Sequence, residues 1–214
     1  MEFTLACTYE KMLPDEMCDR IINAAEQGKQ GVDMKSTVKE ATEKATNELG
    51  KILKAQGKGE EGKLLQEGLN KDYRNVLKWD LPRCKETEDI YQQVIHFMNL
   101  ANKDKWNYDI AGVETLQVLR YPTGGHYEWH MDAGTDHDEV YQRKLSMTAY
   151  VNSPDTDYEG GELLINTGHI DLEVSGMKKG GACFFTSFCL HKVKPVTKGV
   201  RWVLVAWFRG PPLR

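Results

Sequence analysis

No stretch of this 214-residue chain approaches the 18 consecutive apolar residues that a membrane-crossing helix needs. Its opening, MEFTLACTYEKML, also lacks the basic segment and apolar run of a secretory leader. The expectation is therefore a soluble, cytoplasmic protein without a membrane partner. The five cysteines (Cys7, Cys18, Cys84, Cys183 and Cys189) are odd in number and contain no CxxC pair. That argues against a disulfide framework or a zinc ribbon and suits a reducing compartment. Positive charge is in short supply as well: 28 Lys and Arg against 32 Asp and Glu leave a net charge of -4. No global basic field is present to hold nucleic acid or an anionic membrane.

Aromatic residues are missing altogether from residues 33–70, where lysine, glutamate and alanine dominate and QGKGEEG interrupts the run. This segment reads as a polar helical insertion in one domain spanning residues 1–214. The 40% hydrophobic content of the chain is enough for one substantial core. Before the insertion, FTLACTY reads as a strand and LPDEMCDRIINAAEQ as a helix opened by Pro14 and Asp15. After it, TEDIYQQVIHFMNLANKDKW repeats apolar residues at helical spacing through Ile90, Val94, Phe97, Met98 and Ala101. His96 falls off that stripe and should face solvent. From about residue 108 short runs rich in Val, Leu, Thr and aromatics alternate with Gly, Pro, Asn and Asp turns. Seven or more such strands after the helices predict an α+β protein with a β-sandwich or jelly-roll core and N-terminal supporting helices.

The stretch HYEWHMDAG, residues 126–134, crowds two histidines and two acids into seven positions. Strand alternation puts His126, Glu128, His130 and Asp132 on one side and Tyr127, Trp129 and Met131 on the other. His130 and Asp132 can then reach one cation, and His191, at the start of a late strand, can supply a third ligand across the barrel mouth. Two histidines and one carboxylate leave positions open, as in mononuclear non-haem iron oxygenases, whereas structural zinc more often receives a closed tetrahedral set. Ten residues beyond His191 stands Arg201, sharing a strand face with Val203, Val205 and Trp207. A guanidinium buried there needs an anion. Either an internal acid or a dicarboxylic cosubstrate, held bidentate, would meet that need.

These residues resemble the 2-oxoglutarate and Fe(II)-dependent dioxygenases, within them the prolyl 4-hydroxylase-like branch. The resemblance is carried by LQVLRYPTGGHYEWHMD, RKLSMTAYVN, YEGGELLI and FFTSFCLHKVKPVTKGVRWVLVAWF, and more weakly by RNVLKWDL, across roughly residues 1–30 and 74–210. It implies a double-stranded β-helix (jelly roll) core, with His130, Asp132 and His191 as the iron triad and Arg201 as the anchor of the distal carboxylate of 2-oxoglutarate. It also implies Tyr150 as a neutral partner of that carboxylate, Tyr121 as a tyrosine near the metal and Trp207 as an aromatic closing the cosubstrate pocket. Tyr121 and Trp207 read equally well as barrel-wall and core aromatics. The implied cofactors are Fe(II), 2-oxoglutarate and dioxygen, with ascorbate as an accessory reductant. The implied reaction hydroxylates an unactivated C–H bond, most simply on a prolyl or other peptide side chain, while 2-oxoglutarate becomes succinate and carbon dioxide. The partner is then a peptide, a protein or a small amino acid.

His126, Glu128, His137 and His169 find no role in the pattern, and Glu162 in EGGEL reads as structural or exposed. Two alternatives remain. Nucleic-acid dealkylation by the same fold is disfavoured by the net charge and by the absence of an Arg-x-Asn sequence after Arg201. A non-catalytic jelly-roll module would bind a metal or carboxylate in a closed site. Specificity is expected from AGTDHDEVYQ (133–142), whose acids favour a basic or neutral peptide, and from a loop over residues 71–85.

Overall fold

Alternation within single strands organises this protein. The computed structural model describes residues 4–27, the backbone of 32–33, and residues 73–133, 142–154 and 156–212. The predicted helical insertion, apart from residue 33, lies outside the described residues, as do most of the 133–142 loop and His137. Two helices, α1 (Asp15–Gln27) and α2 (Glu88–Lys105), accompany strands β1 (Ala6–Tyr9), β2 (Val32–Asp33), β3 (Arg74–Asn75), β4 (Leu77–Leu81), β5 (Gly112–Val113), β6 (Leu116–Tyr121), β7 (His126–His130) and β8 (Gln142–Tyr150). The chain continues through β9 (Tyr158–Gly160), β10 (Leu163–Asn166), β11 (Asp171–Val174), β12 (Ala182–Thr186), β13 (His191–Val193), β14 (Val196–Gly199) and β15 (Arg201–Gly210). No described helix is long and apolar enough to cross a membrane.

The strands form an eight-stranded sheet of order β1-β12-β8-β15-β6-β4-β2 with β5 beside β15, and a five-stranded sheet of order β11-β10-β13-β7-β3. Both are antiparallel and together make the jelly-roll core. Even-numbered residues of β15 (Trp202, Leu204, Ala206, Phe208) join Leu145, Met147, Ala149 and Phe184 in one core with Ile21 of α1 and Ile90, Val94 and Met98 of α2. Odd-numbered residues (Val203, Val205) join Tyr121, Tyr150 and Phe185 in a second core with Leu163, Ile165 and Val193 of the smaller sheet. One core thus lies between sheet and helices and the other between the two sheets. The second holds the candidate site.

The helices carry acids in their first turns, Asp15 and Glu16 in α1 and Glu88 and Asp89 in α2, and α2 carries Lys103 and Lys105 in its last. Both arrangements oppose the helix dipole favourably. The Tyr91 hydroxyl ties α2 to the large sheet by donating to the Leu81 carbonyl at 2.7 Å and accepting from the Leu116 N–H at 3.0 Å. His96 and His169 are exposed, as expected.

Two expectations need correction. Residues 71–85, read as a loop, contain β3 and β4. The alternation Leu77, Trp79, Leu81 is a short strand signal, and Trp79 packs on Trp202 with ring centroids 5.5 Å apart. Strict alternation through HYEWH also fails. His130 pairs with His191 but Tyr127 pairs with Val193, so β7 spends one residue more than β13. This bulge brings Tyr127 to the same side as His130.

Candidate metal centre

His130 ends β7, Asp132 follows two residues later and His191 opens β13, its Cα partnered with that of His130. One potential ligand atom from each of the three residues lies within 4.8 Å of the others. His130 Nε2 is 3.8 Å from one Asp132 oxygen and His191 Nε2 is 3.5 Å from the other. Metal–nitrogen and metal–oxygen bonds of about 2.1 Å set adjacent ligand atoms roughly 3 Å apart, so a small contraction closes this set on one ion. Three ligands leave the rest of an octahedron free, which fits a catalytic metal and not the closed site of a structural one.

The histidines are held in the required tautomer. His130 Nδ1 lies 2.7 Å from the Glu128 carbonyl and His191 Nδ1 lies 3.0 Å from the Cys189 carbonyl. A carbonyl can only accept, so each Nδ1 carries the proton and each neutral ring presents a bare Nε2. Burial, reinforced by the neighbouring His191, pushes the His130 imidazole down to about 3, which keeps it uncharged. Tyr127 stacks on that ring at 3.5 Å and 19°, and Phe185 meets the His191 ring edge-on at 4.7 Å.

Asp132 is fixed by groups that its own local sequence does not announce. The Ser146 hydroxyl donates to it at 2.7 Å and lies 2.9 Å from the Ser187 hydroxyl, while the Ser187 carbonyl accepts from the Asp132 N–H at 3.1 Å. Burial would raise the Asp132 carboxyl. The imidazoles of His191 and His130, with Ser146 and the Trp207 indole, outweigh it and hold the acid below its usual range. Trp207 therefore stands beside the candidate metal ligands. Its outer face is covered by Arg143, 4.1 Å from the ring centroid, which Glu114 grips through two hydrogen bonds of 2.7 and 2.6 Å.

Arg201 is fully buried, and none of its three guanidinium nitrogens has a hydrogen-bond partner. Its guanidinium carbon lies 5.1 Å from the Tyr121 ring and 5.2 Å from the Tyr150 ring. The Tyr150 hydroxyl is likewise buried and unpartnered, and burial raises it so that it stays a neutral donor. Tyr121 is also raised by burial, against the opposing charges of Arg201 and Arg74. The internal acid that could have neutralised Arg201 is absent among the described residues. Gly161 adopts φ +70°, and a Cβ there would lie 2.8 Å from the Arg201 Cδ, so the EGGEL turn lets the backbone close over the arginine. Glu162 pairs loosely with Lys194 at 3.6 Å. A cleft of about 260 Å³ borders Tyr150, Tyr158 and Gly161 but touches none of the three metal-ligand residues.

The orphaned donors fit a carboxylate group at Arg201, and the His/Asp/His cluster fits a divalent metal. All seven expected site residues line the inter-sheet core or its rim. Sequence reading missed Ser146, Ser187 and Tyr127. Ser146 had a signal, since it shares a strand face with Tyr150. The other two depend on a bulge and a turn.

Residues 116–209 match the model of the 2OG-Fe(II) oxygenase superfamily. A PKHD-type hydroxylase of Synechococcus sp. strain CC9605 is 29% identical over 71% of this chain and 63% of its own length. The chain spans less than two thirds of the length of the first curated relatives it matches. Among solved structures, a viral collagen prolyl hydroxylase from Paramecium Bursaria Chlorella virus-1, in complex with 2OG, is similar with a TM-score of 0.63 at 19% identity, covering 97% of both chains. A Pseudomonas putida prolyl-4-hydroxylase gives a TM-score of 0.64 at 18% identity over 97% of this chain and 93% of that one.

Proposed function

We propose, starting from the match of residues 116–209 to the model of the 2OG-Fe(II) oxygenase superfamily, that this protein is such an oxygenase and hydroxylates an unactivated C–H bond. The prolyl hydroxylase-like character of its relatives directs the proposal to a peptide side chain, with a prolyl ring first among candidates. The observation that carries it is the pairing of two features on the inter-sheet side of the large sheet: a buried guanidinium and phenol without partners, and three ligand atoms able to share one ion.

His130, Asp132 and His191 would hold Fe(II), and Arg201 with Tyr150 would hold the distal carboxylate of 2-oxoglutarate. Bound there, iron, 2-oxoglutarate and dioxygen supply the oxidising power, with succinate and carbon dioxide as coproducts. The chain's own contribution is placement and dryness. Ser146 and Ser187 hold Asp132, the Glu128 and Cys189 carbonyls hold the imidazole protons, and Tyr127 and Phe185 screen the rings from water. Trp207 supports Asp132, and the Tyr121 ring lies 5.1 Å from the Arg201 guanidinium carbon.

Succinate release from 2-oxoglutarate should require Fe(II), stop on chelation and rise with prolyl peptides. Release that persists after the metal has been stripped would refute the assignment. Salt-sensitive binding to oligonucleotides would instead favour the dealkylase alternative.

A further inference from the structure

One buried charge finds no use in the chemistry above. Arg74 lies on β3, the edge strand of the smaller sheet, and pairs with Tyr127 of β7. It is only 8% exposed. Its guanidinium carbon sits 4.2 Å over the Tyr127 ring, which stacks on His130 at 3.5 Å. Guanidinium, phenol and imidazole thus form three layers from the sheet edge to a metal-ligand residue. Val76, two residues on and so on the same strand side, belongs to the inter-sheet core with Tyr121. The buried Nε of Arg74 has no hydrogen-bond partner, and no described carboxylate pairs with this side chain.

The remaining charges of the proposed site cancel: a divalent ion and Arg201 against Asp132 and the two carboxylates of 2-oxoglutarate. Arg74 leaves one positive charge over: its Nε is buried without a partner while its terminal nitrogens are not among the buried, unpaired atoms, so a largely desolvated cation stands at the site's rim where an anion can reach it. A planar guanidinium suits a carboxylate. We infer that Arg74 anchors a carboxylate of the primary substrate beside the metal. The substrate class is then a free amino acid, or a peptide with a terminal or acidic-side-chain carboxylate close to the oxidised carbon. This rests on the hydroxylase reading and reverses the preference for basic or neutral peptides drawn from the acidic loop.

Two readouts on the full chain test it. With Fe(II) and 2-oxoglutarate present, L-proline, other free amino acids and proline–aspartate peptides are compared with their carboxamides for stimulation of succinate release. The acid should half-saturate at a concentration at least about tenfold lower than its amide. Arg74→Gln should erase that difference while leaving 2-oxoglutarate saturation and substrate-free release unchanged. Free amino acids against acidic peptides separates the two sources of the carboxylate. The second readout needs no turnover: metal-free Arg74→Met should melt about 2–4 °C above wild type, because an uncompensated charge is replaced by an apolar chain of similar size. Acids and amides acting alike, neither acting, or a lower-melting Arg74→Met each overturn the anchor. Wild type that releases no succinate with iron and cosubstrate overturns the hydroxylase reading instead, and the melting comparison still judges Arg74.

Discussion

On one face of the eight-stranded sheet Leu145, Met147, Ala149, Phe184, Leu204 and Phe208 pack against two helices in an apolar core. On the other face the same strands present Ser146, Tyr150, Arg201 and Trp207 toward the smaller sheet. The helix-facing side buries Tyr91 as well, but its hydroxyl is hydrogen-bonded both ways. The inter-sheet side leaves Arg201 and Tyr150 buried with donors unmade. Both sides bury apolar residues, but among these described residues the unmet polar demand falls on the inter-sheet side alone. The second side is tolerable because both cores are well packed, and its unmade bonds are open to a ligand. Since successive residues of one strand serve the two sides, a one-residue register slip would exchange them.

The largest expected break in this contrast is on the inter-sheet side. Asp132→Ala should lower succinate release by at least about a thousandfold, because it removes the one acidic ligand. Circular dichroism should show the fold intact, and a folded variant with wild-type turnover would contradict the triad. On the helix side Phe184→Ala should cost about 3–5 kcal/mol in urea unfolding, from lost burial and a cavity. Any surviving folded fraction should still saturate with 2-oxoglutarate as wild type does.

Arg201→Met is expected to split the two properties in the opposite sense. Half-saturation by 2-oxoglutarate should rise by about a hundredfold, while the unliganded melting temperature stays level or increases, since a buried charge without a partner is removed. A clear fall in melting temperature would show that Arg201 is structural. Gly161→Ala should destabilise by roughly 1–3 kcal/mol, since it combines a positive φ with a contact at 2.8 Å to Arg201. It should also weaken cosubstrate binding, which separates it from a plain turn defect. The smallest effect concerns thiols. Cys183, pushed up to about 12 by burial, should resist alkylation at pH 8 while the exposed Cys84 reacts, as mass spectrometry of the native protein can report.

Much of this was legible without coordinates. The helical stripe of α2, the β texture after residue 108 and the alternating faces of β15 follow from side-chain period, which is a local property. Arg201 stood out because a guanidinium is costly in an otherwise apolar strand, and His130, Asp132 and His191 because ligand residue types recur there at strand spacing. Tyr127 was placed on the wrong side because a bulge changes the period without a glycine or proline to mark it. Arg74 passed unnoticed because a two-residue strand has no measurable alternation, and its burial depends on what lies across from it.

By itself the sequence determined which residues could bear a metal, which strand faces were apolar and where the glycines at 160 and 161 permit a tight turn, since each depends on near neighbours and intrinsic chemistry. Only the tertiary structure decided that His191 meets His130 across two antiparallel strands, that Ser146 and Ser187 hold Asp132, and that no described acid answers Arg201 or Arg74. Those are relations between residues distant along the chain. They exist only once the conformational entropy of the intervening segments has been overcome by burial of the two cores.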